Sequence, residues 1–397
     1  MLTADPRHGD ERGQIGEMPD LSSFTRAAAL DHLASVLPRV GRAYAEGRNT
    51  DHGPDAERST TVLSPYLRRR LLLEEEAIDA ARTAQGFPES GKFVEEVFWR
   101  SYFKGHLETH PSVWADYLRL VAEGQTALAT QSGLRRAYED AVAGRTGIEG
   151  VDHWARELVE HGWLHNHARM WFASAWIFTL RLPWALGADF FLRHLLDGDP
   201  ASNTLSWRWV AGLHTRGKHY VARAENIRRY TDGRFAPTGL DEDPAPLEEE
   251  ARHPTMPLLP PDALPEDEVA LLLHLDDLQP ESLSLGKARV RRVGGLLAHA
   301  PGAAERVRRA DEDAMADALT RAAAHFGCPS GPAAEGWNDG LPMVTPWAPV
   351  GPSAGALPVG CARIRRQWDD LVWPHATRGY FQVRKMIPAI LAKRAAA

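Results

Sequence analysis

The sequence predicts a mainly α-helical protein that is followed by a smaller C-terminal α/β extension. From Thr61 to about Gly212, apolar residues recur at the spacing of helices and are interrupted by Gly and Pro. After Gly239 the composition becomes acidic and rich in proline, which is typical of a linker. Beyond this segment, short apolar runs compatible with strands alternate with one helical pattern.

The helical pattern can be followed element by element. Ser23 is a candidate N-cap for the first helix. Helices are predicted over residues 23–47, Pro65–Thr83, Lys92–Glu108, Pro111–Gln125, Gly133–Val142, Val151–His161, Asn166–Leu180, Gly187–Leu196 and Pro200–Gly212. In the extension, Val269–His274 and Gly340–Val344 are candidate strands, and Asp313–Phe326 between them is a candidate helix.

This organisation predicts four regions. Residues 1–22 are polar and expected to be disordered, and residues 23–239 form the helical domain. Residues 240–267 form the acidic linker, and residues 268–397 form the α/β extension. Its basic tail, Arg363–Arg394, is predicted to be helical and broken at Pro374 and Pro388.

Bulk composition excludes several classes of protein. The chain has 397 residues, 44% of them hydrophobic, and a net charge of -7, which does not fit a protein coated in basic surface. Two cysteines, Cys328 and Cys361, exclude a disulfide scaffold and a cysteine-rich metal cluster. Neither a signal peptide nor a run of about 18 apolar residues occurs, so we predict a cytoplasmic protein without membrane contact.

Four short segments combine polar, charged and aromatic residues in patterns suited to ligands. They are TTVLSPYL from Thr60, FVEEVFWR from Phe93, GWLHNHARM from Gly162 and DGDPASNTLSWRW from Asp197. Taken singly, each has a simpler structural explanation: a helix N-cap, a solvated ion pair beside buried aromatics, or a capped helix start. His165 and His167 lack supporting carboxylate or Cys ligands, so no metal site is predicted.

Together, in this order and at these spacings, the four segments resemble the photolyase/cryptochrome family. Members of that family carry a TSRLSPYL-like segment, a W/F-x-x-E-x-x-W-R segment, a G-W-M-H-N-x-x-R-M segment and a D-G-D-x-A-x-N-x-x-x-W-x-W segment. The resemblance implies a photolyase/cryptochrome-type helical bundle that binds FAD. It also implies that FAD is the cofactor, and because no GxGxxG or P-loop pattern is present, the flavin would not be held by a Rossmann turn.

By position, the resemblance assigns contacts with FAD to residues of all four segments and to one earlier tyrosine. Arg169 and Asp197 would form an ion pair beside the isoalloxazine. Asn203 would face flavin N5, where a neutral amide supports the anionic reduced flavin better than a carboxylate would. The complete cofactor-binding set is Tyr44, Thr60, Thr61, Leu63, Ser64, Phe93, Arg100, Trp163, Asn166, Arg169, Asp197, Asp199 and Asn203.

The resemblance also implies a pocket for a flipped-out pyrimidine dimer. Trp99 and Trp209 would sandwich the dimer and Glu96 would hydrogen-bond to its bases. Asn166 and Met170 would complete the pocket, and because (6-4) photolyases carry a His where Asn166 stands, that reaction is disfavoured.

Electron transfer through tryptophans is the other implied property. The two inner positions of the relay match Trp207 and Trp184. The distal position is left open among Trp114, Tyr138, Trp171 and Trp176.

The leading functional hypothesis is a photolyase-type lyase that repairs cyclobutane pyrimidine dimers in DNA by one-electron transfer from photoexcited reduced FAD. The alternatives are a cryptochrome-like photoreceptor that signals through the C-terminal extension, and a flavoprotein with a non-DNA substrate. The family's N-terminal antenna domain is expected to be missing, since about 25 residues precede the first helix. Damaged DNA is the expected partner, and the oligomeric state is left open.

Overall fold

The structure is a computed structural model that describes Leu21 and residues 23–54 and 60–395. Apart from Leu21, the predicted disordered terminus at residues 1–22 lies outside these described residues. Twelve helices are described before residue 240: α1 Arg26–Val36, α2 Arg42–Gly47, α3 Ser64–Arg68, α4 Glu74–Gln85, α5 Gly91–Thr109, α6 Ser112–Thr130, α7 Ser132–Val142, α8 Val151–His161, α9 Asn166–Ser174, α10 Trp184–His194, α11 Pro200–Ala211 and α12 Ala224–Tyr230.

Several of the predicted helices differ from the observed ones, and the helix predicted over residues 23–47 is divided into α1 and α2 by a 3-10 turn, Leu37–Arg39. Thr25, not Ser23, caps α1, because its hydroxyl accepts a hydrogen bond from the backbone of Ala28 at 3.1 Å. The single helix predicted over Pro65–Thr83 is divided into α3 and α4, since Arg70 adopts a left-handed backbone conformation with φ of 51°. The helix predicted over Asn166–Leu180 changes after α9 into one π-helical turn, Ala175–Thr179.

A five-stranded, fully parallel sheet follows the proline-rich segment. Its strands are β1 Glu268–His274, β2 Arg289–Leu296, β3 Ser330–Pro332, β4 Met343–Pro346 and β5 Ala362–Ile364, in the order β3-β2-β1-β4-β5. The central strand β1 is buried almost throughout, which explains its apolar sequence. The remaining helices are α13 Glu305–Phe326, α14 Pro352–Ala356, α15 Gln367–Val372 and α16 Phe381–Ala395.

The basic tail was predicted to be helical from Arg363 with breaks at two prolines, and this was partly wrong. Its first residues belong to β5, and a 3-10 turn, Trp373–His375, contains Pro374. Helix α16 continues through Pro388. Ile387 and Ile390, which lie just before and two residues after that proline, are buried, and at about 1.5–3 kcal/mol for each such side chain their burial offsets the cost of about 3 kcal/mol for a proline inside a helix.

The helical region and the sheet share a hydrophobic core. One continuous apolar cluster contains residues of α1, α4 and α5 together with residues of β1, β2, α13, α15 and α16. The N-terminal end of α1 is fixed on α13, where the backbone N–H groups of Phe24 and Arg26 donate to the carboxylates of Asp313 and Asp317 at 2.5 and 3.0 Å. A second cluster lies among α6 to α11.

Residues 240–267, which contain no helix or strand, cross the surface of the helical region in extended form. Leu247 donates its backbone N–H to Ala211 at the end of α11 at 2.9 Å. Met256 does the same to Thr109 at the end of α5 at 2.7 Å. We refer to residues 240–256 as the acidic segment, because six of its residues are Asp or Glu.

A fully buried ionic network joins the helical region to the sheet. Arg70 donates to both oxygens of Asp369 at 2.9 and 2.6 Å. It also contacts Glu74 at 3.2 Å and Asp277 at 3.3 Å, and these side chains are at most 1% exposed. Arg366 gives Asp277 a second cation at 2.5 Å, so the network holds two arginines and three carboxylates.

Glu108 of α5 is a buried carboxyl group held by the segment that follows β4. It accepts hydrogen bonds from Trp347 Nε1 at 3.1 Å and from the backbone N–H of Val350 at 2.7 Å. Burial raises the pKa of Glu108 to about 7. Because the folded pKa exceeds the unfolded one, the stability that this group contributes is present below about pH 4.5 and is lost as the pH rises through 7.

We therefore expect the free energy of unfolding to fall by up to about 3 kcal/mol between pH 5 and pH 8 because of Glu108. Replacing Glu108 by Gln should remove that part of the pH dependence, as measured by urea unfolding at both pH values. The pKa of Glu75 is also raised by burial to about 7. In the variant, the free energy of unfolding should therefore still fall with rising pH, but less steeply. An unchanged slope in Glu108→Gln would contradict the assignment.

Candidate functional site

A polar cluster forms where α3, α5, α9 and α11 approach one another. Arg169 in α9 donates to Asp197 at 3.0 Å and to the backbone oxygen of Leu164 at 2.9 Å. Its guanidinium lies over the ring of Trp163, 5.8 Å from the centroid. The Asp197 side chain is 3% exposed; although burial opposes its ionisation, Arg169 and the hydroxyl of Ser64 lower its pKa.

Asp199 is the second carboxylate of the cluster and the N-cap of α11. Its Oδ1 accepts from the backbone of Ser202 at 2.7 Å, while Oδ2 lies 3.8 Å from Arg100 Nη1 and 3.9 Å from Lys104 Nζ. Burial opposes its ionisation, but the charges of Lys104, Arg100 and Arg68 outweigh burial and lower the pKa of Asp199 to about 2. Lys104, only 1% exposed, belongs to this cluster although the sequence did not single it out.

Several buried polar atoms of the cluster make no hydrogen bond within the described part of the chain. Buried polar groups nearly always have partners, so a set of unpaired ones in one place indicates room for a polar ligand or for water. The set contains both cationic donors and oxygen acceptors: Thr60 Oγ1, Arg100 Nη1, Lys104 Nζ, Asp197 Oδ1 and Ser202 Oγ.

Asn203 lies one helical turn after Asp199 on α11 and is 8% exposed. Its amide nitrogen donates to the backbone oxygen of Ala188 in α10 at 2.8 Å. This bond fixes the orientation of the amide, because the nitrogen is committed to α10.

The loop before α3 contributes both core and site residues. Leu63 is 1% exposed and packs in the core, whereas the backbone oxygen of Thr61 contacts His32 Nε2 at 2.7 Å. Tyr44 packs edge-on against Phe93, with 5.7 Å between ring centroids. The loop before α3 is therefore held against α1, and α2 is packed against α5.

Aromatic side chains form two rows, one that starts at Trp207 of α11 and one that starts at Trp184 of α10. Trp207 is 2% exposed and lies 6.2 Å from Trp176, whose ring is 5.8 Å from that of Tyr138. A Cβ atom on Gly187 would come within 2.4 Å of Trp207, so only glycine allows α10 to pass this close to the indole.

The second row starts at Trp184. Its ring lies 6.0 Å from Tyr117, which in turn lies 5.0 Å from half-buried Trp114. Trp171 instead packs against Trp154 at 5.4 Å, apart from both rows. Trp114 and Tyr138 thus end the two rows of aromatic rings.

The residues of the predicted dimer pocket are less closely associated. Glu96 pairs with Arg48 at 2.9 Å and with Lys92 at 3.5 Å. Arg100, one turn further along α5, turns towards Asp199, whose Oδ2 lies 3.8 Å from Arg100 Nη1. Two charged neighbours therefore compete for the Glu96 carboxylate.

The two pocket tryptophans each stack on a tyrosine. Trp99 lies parallel to Tyr380, with 3.7 Å between centroids and 13° between planes. Trp209 is 36% exposed and stacks on Tyr220 at 5.7 Å. Asn166 is exposed at the start of α9, and Met170 packs beside the second apolar cluster.

Tyr380 and the acidic segment are the features that sequence reasoning missed. Tyr380 precedes α16, donates its hydroxyl to the backbone oxygen of Glu95 at 2.7 Å and so fixes the tail on α5. In the acidic segment, Glu249 accepts from both terminal nitrogens of Arg208 at 2.8 and 2.5 Å, next to Trp209. No local pattern could have linked these residues to α5 or α11.

Basic residues that follow Trp209 in the sequence are partly paired with carboxylates. Arg228 pairs with Glu225 at 3.0 Å and Arg234 with Asp51 at 3.1 Å. Among the described residues, no helix is both long and apolar enough to cross a membrane.

Part of this chain is similar in sequence to known DNA photolyases. A family model described as the FAD binding domain of DNA photolyase matches residues 93–236, from α5 to just beyond α12. Deoxyribodipyrimidine photo-lyase of Streptomyces griseus is 34% identical over 227 residues, which cover 53% of this chain and 46% of that protein. The protein of the same name from Thermus thermophilus is 36% identical over 210 residues, 52% of this chain and 47% of that protein.

Solved structures show the same partial overlap. A bacterial class III photolyase from Agrobacterium tumefaciens is 26% identical with a TM-score of 0.41, and the match covers 52% of this chain and 44% of that one. A cryptochrome from Synechocystis is 21% identical with a TM-score of 0.44, over 55% of this chain and 46% of that one. The chain spans about half the length of the curated relatives that it matches.

Proposed function

Because the chain belongs to the photolyase/cryptochrome superfamily and has FAD as its cofactor, we propose that it is a light-dependent enzyme that splits cyclobutane pyrimidine dimers in DNA. The observation that carries this proposal is the cluster in which Ser64, Arg100, Arg169, Asp197 and Asp199 meet Asn203 on α11. The sequence resemblance assigned all of these residues to the FAD-binding site.

The residues of the cluster fit an FAD molecule. Unpaired buried donors on Arg100 and Lys104 suit phosphate or carbonyl oxygens, and the unpaired oxygen of Asp197 suits an N–H or hydroxyl donor. The hydroxyl of Thr60 is a further unpaired group at the start of the loop that leads into α3. When bound and reduced, FAD supplies the light-driven donation of one electron to the substrate.

The protein's own residues would then act in defined ways. Arg169 holds Asp197 ionised in a buried position. The two side chains form an ion pair without net charge beside the cofactor. Asn203 presents a neutral amide whose orientation α10 fixes. Trp207 would begin the electron relay, and Trp114 and Tyr138, which end the two aromatic rows, are our candidates for its outer position.

Dimer recognition rests on the exposed ring of Trp209. Stacking of a base on an aromatic side chain is worth about 1–3 kcal/mol, so Trp209→Ala should weaken the binding of a dimer-containing oligonucleotide by about 5- to 150-fold. Phe87→Ala, which removes a 55% exposed ring on the loop between α4 and α5, is the matched control and should leave binding unchanged.

Repair itself is tested with the purified chain, carrying reduced FAD, under blue light. We expect intact pyrimidines to be restored in a dimer-containing oligonucleotide in the light and not in the dark. A chain with bound, reduced FAD that restores none at saturating light would overturn the assignment of this substrate.

A second candidate function, a light sensor, is favoured by the stack of Tyr380 on Trp99. Through this stack the C-terminal extension covers one face of a tryptophan assigned to the substrate. A sensor should show flavin photoreduction without dimer binding, and illumination should change the protease sensitivity of residues 240–397. Tyr380→Ala should abolish that light-dependent change if the stack transmits it.

A further inference from the structure

Three side chains able to bind a metal ion meet where the acidic segment crosses α6. They are Asp116 of α6 and Glu249 and His253 of the segment, and their ligand atoms all lie within 4.8 Å of one another. The side chains are only 13%, 14% and 10% exposed. The group is therefore largely buried, unlike the acidic clusters that are common on protein surfaces.

Of the three side chains, His253 gives the clearest indication that a ligand binds here. Its Nδ1 lies 3.1 Å from the hydroxyl oxygen of Ser112, while its Nε2 is buried and has no hydrogen-bond partner in the described structure. When Ser112 accepts the proton of Nδ1, the ring is in the tautomer that leaves a lone pair on Nε2. That nitrogen lies 3.8 Å from Glu249 Oε1.

The two carboxylates are oriented by arginines on their outer sides. Arg208 donates to both oxygens of Glu249, and Arg119 donates twice to Oδ1 of Asp116 at 3.0 and 2.5 Å. Each carboxylate oxygen has a second lone pair, so these bonds leave acceptor capacity for a cation. Hydrogen-bonded carboxylates are the usual outer neighbours and ligands of metal sites.

We propose that Asp116, Glu249 and His253 form a binding site for a divalent transition metal, with zinc as the preferred ion. One imidazole nitrogen and two carboxylate oxygens match the ligand types of zinc, and a water molecule completes a tetrahedron. With bonds of 2.0–2.2 Å, two ligands on tetrahedral zinc are ~3.3 Å apart, so Nε2 and Oε1 need to approach by about 0.5 Å and the pairs with Asp116 by at most about 1.5 Å. The ion would fasten the acidic segment to α6.

The first test uses the full chain after a chelator has removed bound metal. Zinc is then titrated into the protein and its binding is measured by calorimetry. We expect one zinc ion per chain in the wild type. His253→Ala should lower the affinity at least about 10-fold, Ser112→Ala should lower it by about 10- to 100-fold, and exposed His325→Ala on α13 should leave it unchanged. A wild type without stoichiometric zinc, or a His253→Ala chain that binds like the wild type, would refute the site.

Two further readouts identify the site independently of affinity. Cobalt(II) should give the absorption of a tetrahedral ion without a thiolate band, since neither cysteine takes part; a thiolate band would contradict the proposal. Zinc should also slow trypsin cleavage after exposed Arg252, beside His253, but not after Lys287, which is 75% exposed. Equal protection at both positions, or none at Arg252, would contradict the proposed fastening.

Discussion

Replacing Arg169 by alanine should release FAD from the protein. The change leaves Asp197, 3% exposed, without the cation that holds its charge. Breaking a buried pair costs about 3–5 kcal/mol. We expect the lower end of that range, because the Arg169 side chain is itself 23% exposed and Ser64 still contacts Asp197. The flavin-to-protein absorbance ratio after purification measures the loss.

Two companion variants separate this effect from a general loss of charge. Arg145→Ala removes a surface cation that pairs with Asp140 at 3.0 Å and is 61% exposed, so full occupancy by FAD is expected. Arg169→Lys keeps the positive charge but loses the planar guanidinium, which also donates to the backbone oxygen of Leu164. This variant should therefore retain an amount of FAD between those of the wild type and Arg169→Ala. An Arg169→Ala chain with full FAD occupancy would show that the cofactor contacts are assigned to the wrong residues.

Replacing Arg70 by methionine should cause the largest loss of stability. The variant keeps the volume but leaves Asp369 and Glu74 buried without their shared cation. Leaving a buried charge uncompensated costs about 3–5 kcal/mol, a large part of the 5–15 kcal/mol by which folded proteins are typically stable. The midpoint of urea unfolding should fall accordingly.

The control for this variant is Arg228→Met, because Arg228 and its partner Glu225 are 59% and 75% exposed. Its effect should stay within about 0.5 kcal/mol. Adding Asp369→Asn to Arg70→Met should restore part of the lost stability, since it removes the charge that Arg70 contacts most closely. A single Arg70→Met chain within about 1 kcal/mol of the wild type would mean that the network does not hold the sheet on the helices.

Local sequence patterns predicted the elements whose signals are local. Helix α8 has the predicted bounds, Val151–His161, because Gly162 ends it in the left-handed conformation that glycine tolerates. The mainly helical class and the α/β extension were likewise confirmed. Strands β2, β3 and β5 were missed: β3 and β5 have three residues each, too few to show alternation, and the apolar residues of β2 are interrupted by three arginines and two glycines.

Contacts between distant parts of the chain could not be predicted in the same way. The pairing of Arg169 with Asp197 was expected from the motifs, whereas Lys104 beside Asp199 was not, since a buried lysine leaves no pattern in a helix. The metal site proposed above could not be predicted, because Asp116 belongs to no motif shared with Glu249 and His253. The stack of Tyr380 on Trp99 depends on where the sheet positions the tail.

The anchoring of α1 on α13 has a consequence for synthesis on the ribosome. The carboxylates that receive the N–H groups of Phe24 and Arg26 lie 289 and 291 residues further along the chain. At translation rates of 5–20 residues per second, α1 waits roughly 15–60 s before Asp313 and Asp317 exist. During that time α1 lacks the carboxylates that receive these N–H groups, so it reaches its native position only after α13 has been synthesised.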